Sequence, residues 1–213
     1  MPEDNFSIFC IPKFEIITIK DDDFYFSEDY SKGAIGTSVA IREIMNYFNK
    51  NQIAATIYLY GLGVISNEKS TNFNFPSNRP DLIICSGAIK PKLLIDVKYH
   101  EYNSFDDCSF DEFIDRLTYG KKQIILCNVE NFEGYLEESK KIRCPIYILS
   151  VFRINYKDKF THTLLCTKLT EELRKDLEIL ETGKPKRKAY HIKKDKMMNE
   201  VEFFKEISEH FKK

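Results

Sequence analysis

The chain lacks any apolar segment long enough to cross a membrane. Its 213 residues contain no uninterrupted hydrophobic run near the roughly 20 residues that a transmembrane helix needs. The first ten residues, MPEDNFSIFC, carry acidic side chains where a secretory signal peptide has a basic stretch and an apolar core. We therefore expect a protein without membrane association that stays inside the cell that makes it.

Closely spaced cysteines are also missing. The six cysteines form no CxxC pair and show no Cys/His spacing typical of a zinc site. They are Cys10, Cys85, Cys108, Cys127, Cys144 and Cys166. Reduced thiols are expected, several of them as small apolar side chains inside strands, unless the host is a hyperthermophile whose intracellular proteins carry disulfides.

The chain has no overall excess of positive charge. The 32 Lys and Arg against 33 Asp and Glu give a formal net charge of −1. This balance removes the global basic signal of many nucleic-acid-binding proteins, but an enzyme acting on DNA needs only a local basic surface. The charge is in fact clustered: residues 21–29 hold five acids and no base, and residues 184–196 hold seven Lys or Arg against one Asp.

The periodicity of apolar residues predicts a mixed α/β domain. Hydrophobic residues make up 43% of the chain and charged residues 31%, which is typical of one sizeable globular domain. Strands are predicted at about 6–19, 54–60, 81–85, 92–99, 124–127, 146–154 and 160–169, and helices at about 35–49, 109–122, 131–141, 170–182 and 197–211. Thr37 or Ser38 is the predicted cap of the first helix. The predicted fold is three-layered, with helices on both faces of a mixed central sheet and with terminal additions.

The most informative strand is the one that contains Asp96 and Lys98. Because successive side chains of a strand point to opposite faces, Asp96 and Lys98 share one face with Leu94, whereas Ile95 and Val97 face the other way. A carboxylate and an ammonium therefore leave an otherwise apolar strand side by side. An unpaired charge in such a place is costly and tends to have a functional reason, although an exposed ion pair at a sheet edge would show the same pattern.

Asp81 begins the neighbouring predicted strand. A Gly-containing link joins the two strands and suits a hairpin, which would let Asp81 and Asp96 converge on one cation. Hard divalent metals prefer such oxygen ligands with positions left open for water and phosphate. Lys98 could then orient or deprotonate the attacking water, or stabilise charge on phosphate. A Pro-Asp pair before a strand is also ordinary turn chemistry.

Two further residues are candidates for the same site. Glu43 lies at the edge of the apolar stripe of its predicted helix, where it could reach over the sheet as a metal or water ligand or could simply be a boundary glutamate. His100 follows Lys98 on the same strand face. It is a candidate proton shuttle, and an exposed histidine at the end of the strand is the alternative.

A helical glutamate followed by Pro-Asp and then by Asp-x-Lys on successive strands resembles the PD-(D/E)XK nuclease superfamily. The order from Gly36 to Glu43, strand 54–60, polar loop 61–79, Asp81 and Asp96 resembles the archaeal Holliday-junction resolvases within it, over residues 33–128. The composition and size also resemble nucleases of archaeal viruses.

This resemblance implies a restriction-endonuclease-like fold with a nuclease core at 33–169, an N-terminal extension at 1–32, and a helical and basic C-terminal extension at 170–213. The implied metal ligands are Asp81, Asp96 and the carbonyl of Val97 around Mg²⁺ or Mn²⁺; Glu43 would complete the site and Lys98 would be catalytic. Asp96 stands where these resolvases commonly have glutamate. They also lack the first 30 residues and the tail after about residue 145, so the metal site is better supported than the substrate.

Several polar residues outside this cluster are candidate DNA contacts, because hydroxyl, guanidinium and ammonium groups commonly bind phosphates. The candidates are Ser66, Ser70, Arg79, Lys121, Lys122, Lys186, Arg187 and Lys188. A flexible loop, a solvated helix end and a solvated charge run are the corresponding non-functional interpretations.

The expected activity is that of a Mg-dependent deoxyribonuclease that hydrolyses phosphodiester bonds of branched or duplex DNA in recombination, replication or repair. Cutting both strands requires two active sites, so a homodimer is expected. Three alternatives remain open: a sequence-specific restriction-type endonuclease, a non-catalytic DNA-binding module that keeps the fold, and a metabolic α/β protein in which Asp81, Asp96 and Lys98 only pair with one another.

Overall fold

The structure is a computed structural model that describes residues 24–60, 79–87, 90–104, 109, 112, 123–156, 159–182 and 187–212. The helices are α1 (Phe24–Lys50), α2 (Val129–Ile142) and α3 (Glu200–Glu209). The strands are β1 (Ala55–Leu59), β2 (Leu82–Ser86), β3 (Lys90–Ser104), β4 (Gln123–Asn128), β5 (Ile146–Tyr156), β6 (Lys159–Leu169), β7 (Glu178–Thr182), β8 (Arg187–Lys193) and β9 (Met198–Asn199). The strand predicted at 6–19 and nearly all of the helix predicted at 109–122 lie outside the described residues.

Six strands form the central sheet in the order β1-β2-β3-β5-β6-β9. Strands β3 and β5 are parallel, and the other neighbouring pairs are antiparallel. The predicted hairpin between β2 and β3 is confirmed, with Leu82 opposite Ile95. Gly87 in the link has a φ of +65°, a conformation that glycine adopts without steric cost. The sheet is therefore mixed, as predicted.

The two faces of the central sheet are covered by different layers. Ile95 and Val97 belong to one apolar core, which they share with α1 and α3. Leu94 belongs to the other core, on the side of α2, β4 and β8. The predicted three-layer architecture is confirmed, with a small sheet of order β4-β8-β7 added beside α2. The position of Asp96 in β3 places its side chain on the face that α2 covers.

Helix α1 is longer than predicted, since it begins at Phe24 rather than near residue 35. The predicted cap at Thr37 or Ser38 is wrong, because both residues lie inside the helix and the Ser38 hydroxyl donates to the Ala34 carbonyl over 2.8 Å. The helix lies close to β3 at Gly36, where an added Cβ would come within 2.7 Å of the Tyr99 Cβ. Glycine at this position thus permits the close contact between helix and sheet.

The C-terminal segment contributes strands to both sheets. The helix predicted at 170–182 is wrong: the chain forms a short 3-10 turn at Glu172–Asp176 and then β7, which pairs with β8. The basic stretch contains β8, whose central residues 189–192 are buried and whose ends carry the charge. Strand β9 pairs with β6. In these elements, tertiary pairing outweighed the local sequence preference.

Helix α3 starts later than predicted and rests on the α1 side of the sheet. It is capped at Asn199, whose side chain and that of Glu202 form reciprocal bonds with the backbone. Phe203, Phe204 and Ile207 are buried, whereas Val201 is 78% exposed. Among the described residues, no helix is both long and apolar enough to span a membrane.

Candidate active site

Asp96 and Lys98 form an ion pair on the face of β3 that α2 covers. Asp96 is only 2% exposed. The Lys98 Nζ lies 2.6 Å from Asp96 Oδ2. The shared face that strand alternation predicted for these two residues is therefore present. A buried carboxylate held beside an ammonium is a strong local electrostatic feature, because little water screens the carboxylate.

Asp81 is held next to this pair through the backbone. It precedes β2 directly, and its Oδ2 accepts a hydrogen bond from the Val97 N–H over 2.8 Å. Because Val97 stands between Asp96 and Lys98 in the chain, this bond brings the Asp81 carboxylate to the same stretch of β3. The structure thus brings together Asp81, Asp96 and Lys98.

The electrostatics of Asp81 reflect this crowding. Burial and the nearby Asp96 charge raise its pKa to about 7, against the smaller opposing effects of the Val97 N–H and of Lys98. Burial alone would lower the pKa of Lys98, but the attraction of Asp96 and Asp81 outweighs it and leaves that pKa above its ordinary value. Lys98 therefore stays an ammonium, and it lies beside two carboxylates, those of Asp81 and Asp96, that repel each other.

Tyr135 of α2 completes the described surroundings of Asp96. Its hydroxyl donates to Asp96 Oδ1 over 2.7 Å, and the side chain is 2% exposed. Sequence reasoning missed this residue, since it occupies an apolar position of a helix 39 residues away along the chain. The available signal was that a buried tyrosine hydroxyl needs a partner, but the sequence does not say which one.

A second group of polar side chains lies at the start of β2. The Tyr60 N–H donates to the Asp81 carbonyl over 2.7 Å. The Tyr60 hydroxyl donates to Glu138, one helical turn beyond Tyr135, and the Arg79 guanidinium lies 5.1 Å from the centre of the Tyr60 ring. Helix α2 therefore contacts both acid-bearing segments, Asp96 directly and Asp81 through Tyr60.

Glu43 is not brought into this cluster. Its carboxylate accepts two hydrogen bonds from Arg42, at 2.9 and 2.6 Å. It acts on the pKa values of His162 and Glu200, whereas it is not among the charges that act on Asp81 or Lys98. The physical reason is that α1 covers the opposite face of the sheet. Glu43 as a metal ligand stays a prediction.

Within the described ranges, no group of three or more His, Cys, Asp and Glu side chains is arranged to hold a metal ion. The donor set that the described residues offer is therefore the pair of carboxylates from Asp81 and Asp96. The described cysteines are free thiols, as expected: Cys85, Cys127, Cys144 and Cys166. Burial raises the pKa of Cys127 to about 12, so this thiol beside the cluster is neutral.

His100 is not the exposed strand-end histidine that the sequence offered as an alternative to a proton shuttle. Its ring stacks on Phe152, with centroids 4.7 Å apart, and its Nε2 is shielded from solvent. Burial and the Lys98 charge lower its pKa to about 4. The imidazole is therefore neutral near pH 7.

The candidate DNA contacts are only partly described. Arg79 lies against Tyr60 at the start of the Asp81 segment, and Arg187 and Lys188 are exposed at the beginning of β8. Ser66, Ser70, Lys121, Lys122 and Lys186 lie outside the described residues. Binding of DNA by any of them stays a prediction.

No protein-family model and no curated protein matches the sequence. Two nucleases are among the solved structures that are similar to the chain. One is Hjc, a Holliday junction resolvase from the archaeal hyperthermophile Archaeoglobus fulgidus, with 11% identity, a TM-score of 0.41, and coverage of 81% of this chain and 99% of that one. The other is a nuclease from a fusselovirus, with 14% identity, a TM-score of 0.40, and coverage of 92% and 98%. Both are nucleases, as the sequence resemblance led us to expect, but likeness at this level assigns no activity to the chain.

Proposed function

We propose that the protein is a metal-dependent endonuclease that hydrolyses phosphodiester bonds in DNA. The observation that carries the proposal is the buried cluster in which Asp81 and Asp96 adjoin each other and Lys98 lies 2.6 Å from Asp96. Paired carboxylates with a neighbouring lysine can bind a cation, water and a phosphate group at one place.

The two carboxylates suit a hard divalent cation such as Mg²⁺ or Mn²⁺. Their oxygens are the preferred ligands of these ions. Burial and the neighbouring Asp96 charge raise the pKa of Asp81, so a cation bound between the two carboxylates would relieve their repulsion. Asp81, Asp96 and the Val97 carbonyl would hold the ion. When bound, it would acidify a water molecule and neutralise charge on the phosphate.

Lys98 has a different task. Because its pKa is raised, it remains an ammonium at neutral pH, which makes it a poor base and a good partner for a phosphate oxygen. We assign it the stabilisation of negative charge that develops on the phosphate, and the orientation of the attacking water. His100, which is neutral, supplies no charge at this face.

The proposed substrate is branched DNA, such as a four-way junction, or duplex DNA. Arg79, Arg187 and Lys188 would bind its backbone. Since symmetric cutting of two strands requires two active sites, we propose that the protein acts as a homodimer.

The test is cleavage of labelled four-way junction, linear duplex and single-stranded DNA in Mn²⁺ or EDTA, by the wild type and Asp96→Ala. Asp176→Ala, an exposed aspartate in the 3-10 turn, is the matched control. We expect metal-dependent cleavage that Asp96→Ala abolishes and Asp176→Ala retains. Discrete fragments from plasmid DNA would instead favour a sequence-specific restriction-type enzyme.

A second candidate is a DNA-binding module without catalysis. The separation of Glu43 from the two aspartates favours it, because a site of only two carboxylates binds a cation more weakly than one of three. This candidate predicts salt-sensitive DNA binding with no cleavage in any divalent cation. Absence of both binding and cleavage would contradict both candidates.

A further inference from the structure

Helix α2 is hydrogen-bonded to Asp96 through one hydroxyl group. The helix buries Phe132, Tyr135 and Leu136 against the central sheet, and of these only Tyr135 carries a side-chain polar group. That group is bonded to Asp96 Oδ1 over 2.7 Å. The hydroxyl therefore serves a purpose other than the packing of the helix, which the ring alone provides.

The two oxygens of Asp96 have different partners as a result. Oδ1 accepts from Tyr135, and Oδ2 lies 2.6 Å from Lys98 Nζ. The hydrogen bond from Tyr135 restricts rotation of the carboxylate and occupies Oδ1, whereas Oδ2 is buried and accepts no hydrogen bond from a described residue, so Oδ2 is the oxygen left for a cation. The orientation of Asp96 is thus set from α2 before any ligand arrives.

We propose that Tyr135 is a positioning residue that makes Asp96 a one-oxygen ligand and so favours Mg²⁺ over Ca²⁺ at this site. The proposal rests on the proposed function, to which it adds the basis of metal choice. Mg²⁺ requires near-ideal octahedral geometry at 2.0–2.1 Å, whereas Ca²⁺ accepts more ligands and readily takes both oxygens of a carboxylate. Freeing Oδ1 would therefore help Ca²⁺ and leave Mg²⁺ without a pre-oriented ligand.

Isothermal titration calorimetry of the wild type and Tyr135→Phe with Mg²⁺ and with Ca²⁺ tests the proposal without reliance on activity. Removing partners of this kind typically costs 10- to 100-fold in metal affinity. We expect the ratio of Mg²⁺ to Ca²⁺ affinity to fall by about tenfold or more in Tyr135→Phe. An unchanged ratio would overturn the proposal.

Tyr147→Phe is the matched control. Tyr147 is also buried, and its hydroxyl hydrogen-bonds with Glu206 at 3.0 Å and His210 at 2.9 Å, on the sheet face of α3. Loss of that hydroxyl should lower stability in a similar way and leave the affinity ratio unchanged. A purely structural role of Tyr135 would make the two variants alike.

A crystal structure of the wild type with Mn²⁺ gives a second test that does not depend on how a variant folds. We expect the ion on Asp96 Oδ2 with Oδ1 still bonded to Tyr135; coordination through both oxygens would overturn the proposal. A protein that binds and selects Mg²⁺ but cuts no DNA would contradict the proposed function alone. A wild type that binds neither cation would contradict both.

Discussion

The Val97 N–H donates to Asp81 Oδ2 over 2.8 Å, and this bond joins the segment before β2 to the middle of β3. Since Asp96 precedes Val97 and Lys98 follows it, one backbone donor fixes the position of a carboxylate beside both charged side chains. The distance between the acids is thus set mainly by strand pairing, which does not depend on a bound cation.

The first prediction concerns the crowding of Asp81 and Asp96. Folding raises the pKa of Asp81 from 3.8 to about 7, so the folded state binds the proton more tightly than the unfolded state. The protonated Asp81 carboxyl therefore contributes to the stability of the folded protein. This contribution is complete below about pH 4 and is lost as pH rises through 7, at up to about 1.4 kcal/mol per pH unit. The Asp81→Asn variant has no titrating group at this position, so it does not lose this stability at high pH. Its amide oxygen can still accept the hydrogen bond from the Val97 N–H.

We therefore expect Asp81→Asn in EDTA to be more stable than the wild type by a few kcal/mol at pH 8, and by less than half as much at pH 5. Urea denaturation at both pH values measures this. Addition of Mg²⁺ at pH 8 should stabilise the wild type and leave the variant unchanged. Equal stabilities at both pH values would show that the acids do not repel each other in the folded state.

The second prediction concerns Lys98. Lys98→Met leaves the buried Asp96 without its ammonium partner, so in EDTA the free energy of unfolding should fall by about 2 kcal/mol or more. Cleavage with Mn²⁺ should fall at least about 100-fold. Denaturation and single-turnover cleavage are the two measurements.

Lys168→Met is the control for Lys98→Met. Lys168 forms an ion pair of 2.9 Å with Glu206, but its side chain is 42% exposed, and such surface pairs contribute little. Similar destabilisation in both variants would contradict the claim that the Asp96–Lys98 pair contributes more to stability than an exposed ion pair.

The third prediction concerns the contact of α1 with β3. Gly36→Ala would place a Cβ 2.7 Å from the Tyr99 Cβ, a clash that we expect to cost about 1–3 kcal/mol. Gly33→Ala in the same helix meets nothing within 4 Å and should stabilise the protein by up to about 1 kcal/mol through helix propensity. Thermal denaturation should therefore show opposite shifts; shifts of the same sign would mean that α1 packs elsewhere.

The fourth prediction concerns His100, whose pKa burial lowers to about 4. Because the folded state binds this proton more weakly than the unfolded state, its contribution to stability is present above about pH 6.5 and is lost as pH falls toward 4. NMR titration of the histidine ring protons should show His100 neutral throughout pH 5.5–8. A midpoint near 6.5 would mean that the ring is exposed to water.

Much of the central sheet could be predicted because its strands are long and locally consistent. β3, β5 and β6 alternate or run apolar over many residues, so their existence and type are readable. The helix predicted at 170–182 was wrong for the opposite reason: residues 172–176 are good helix formers, but β7 is stabilised by pairing with β8, which lies outside any local window. β8 was hidden because charged residues at its ends mask a buried centre.

The candidate site also has features that the sequence determined and features that it did not. Strand alternation by itself determined that Asp96 and Lys98 share a face, and the short link after β2 determined that Asp81 lies close to them. Only the tertiary structure decided what covers that face. It placed α2 there, with Tyr135 bonded to Asp96, and placed α1 with Glu43 on the other side. A sequence encodes which side of its own strand a residue occupies, but the choice between two helices for that side depends on the packing of the whole core.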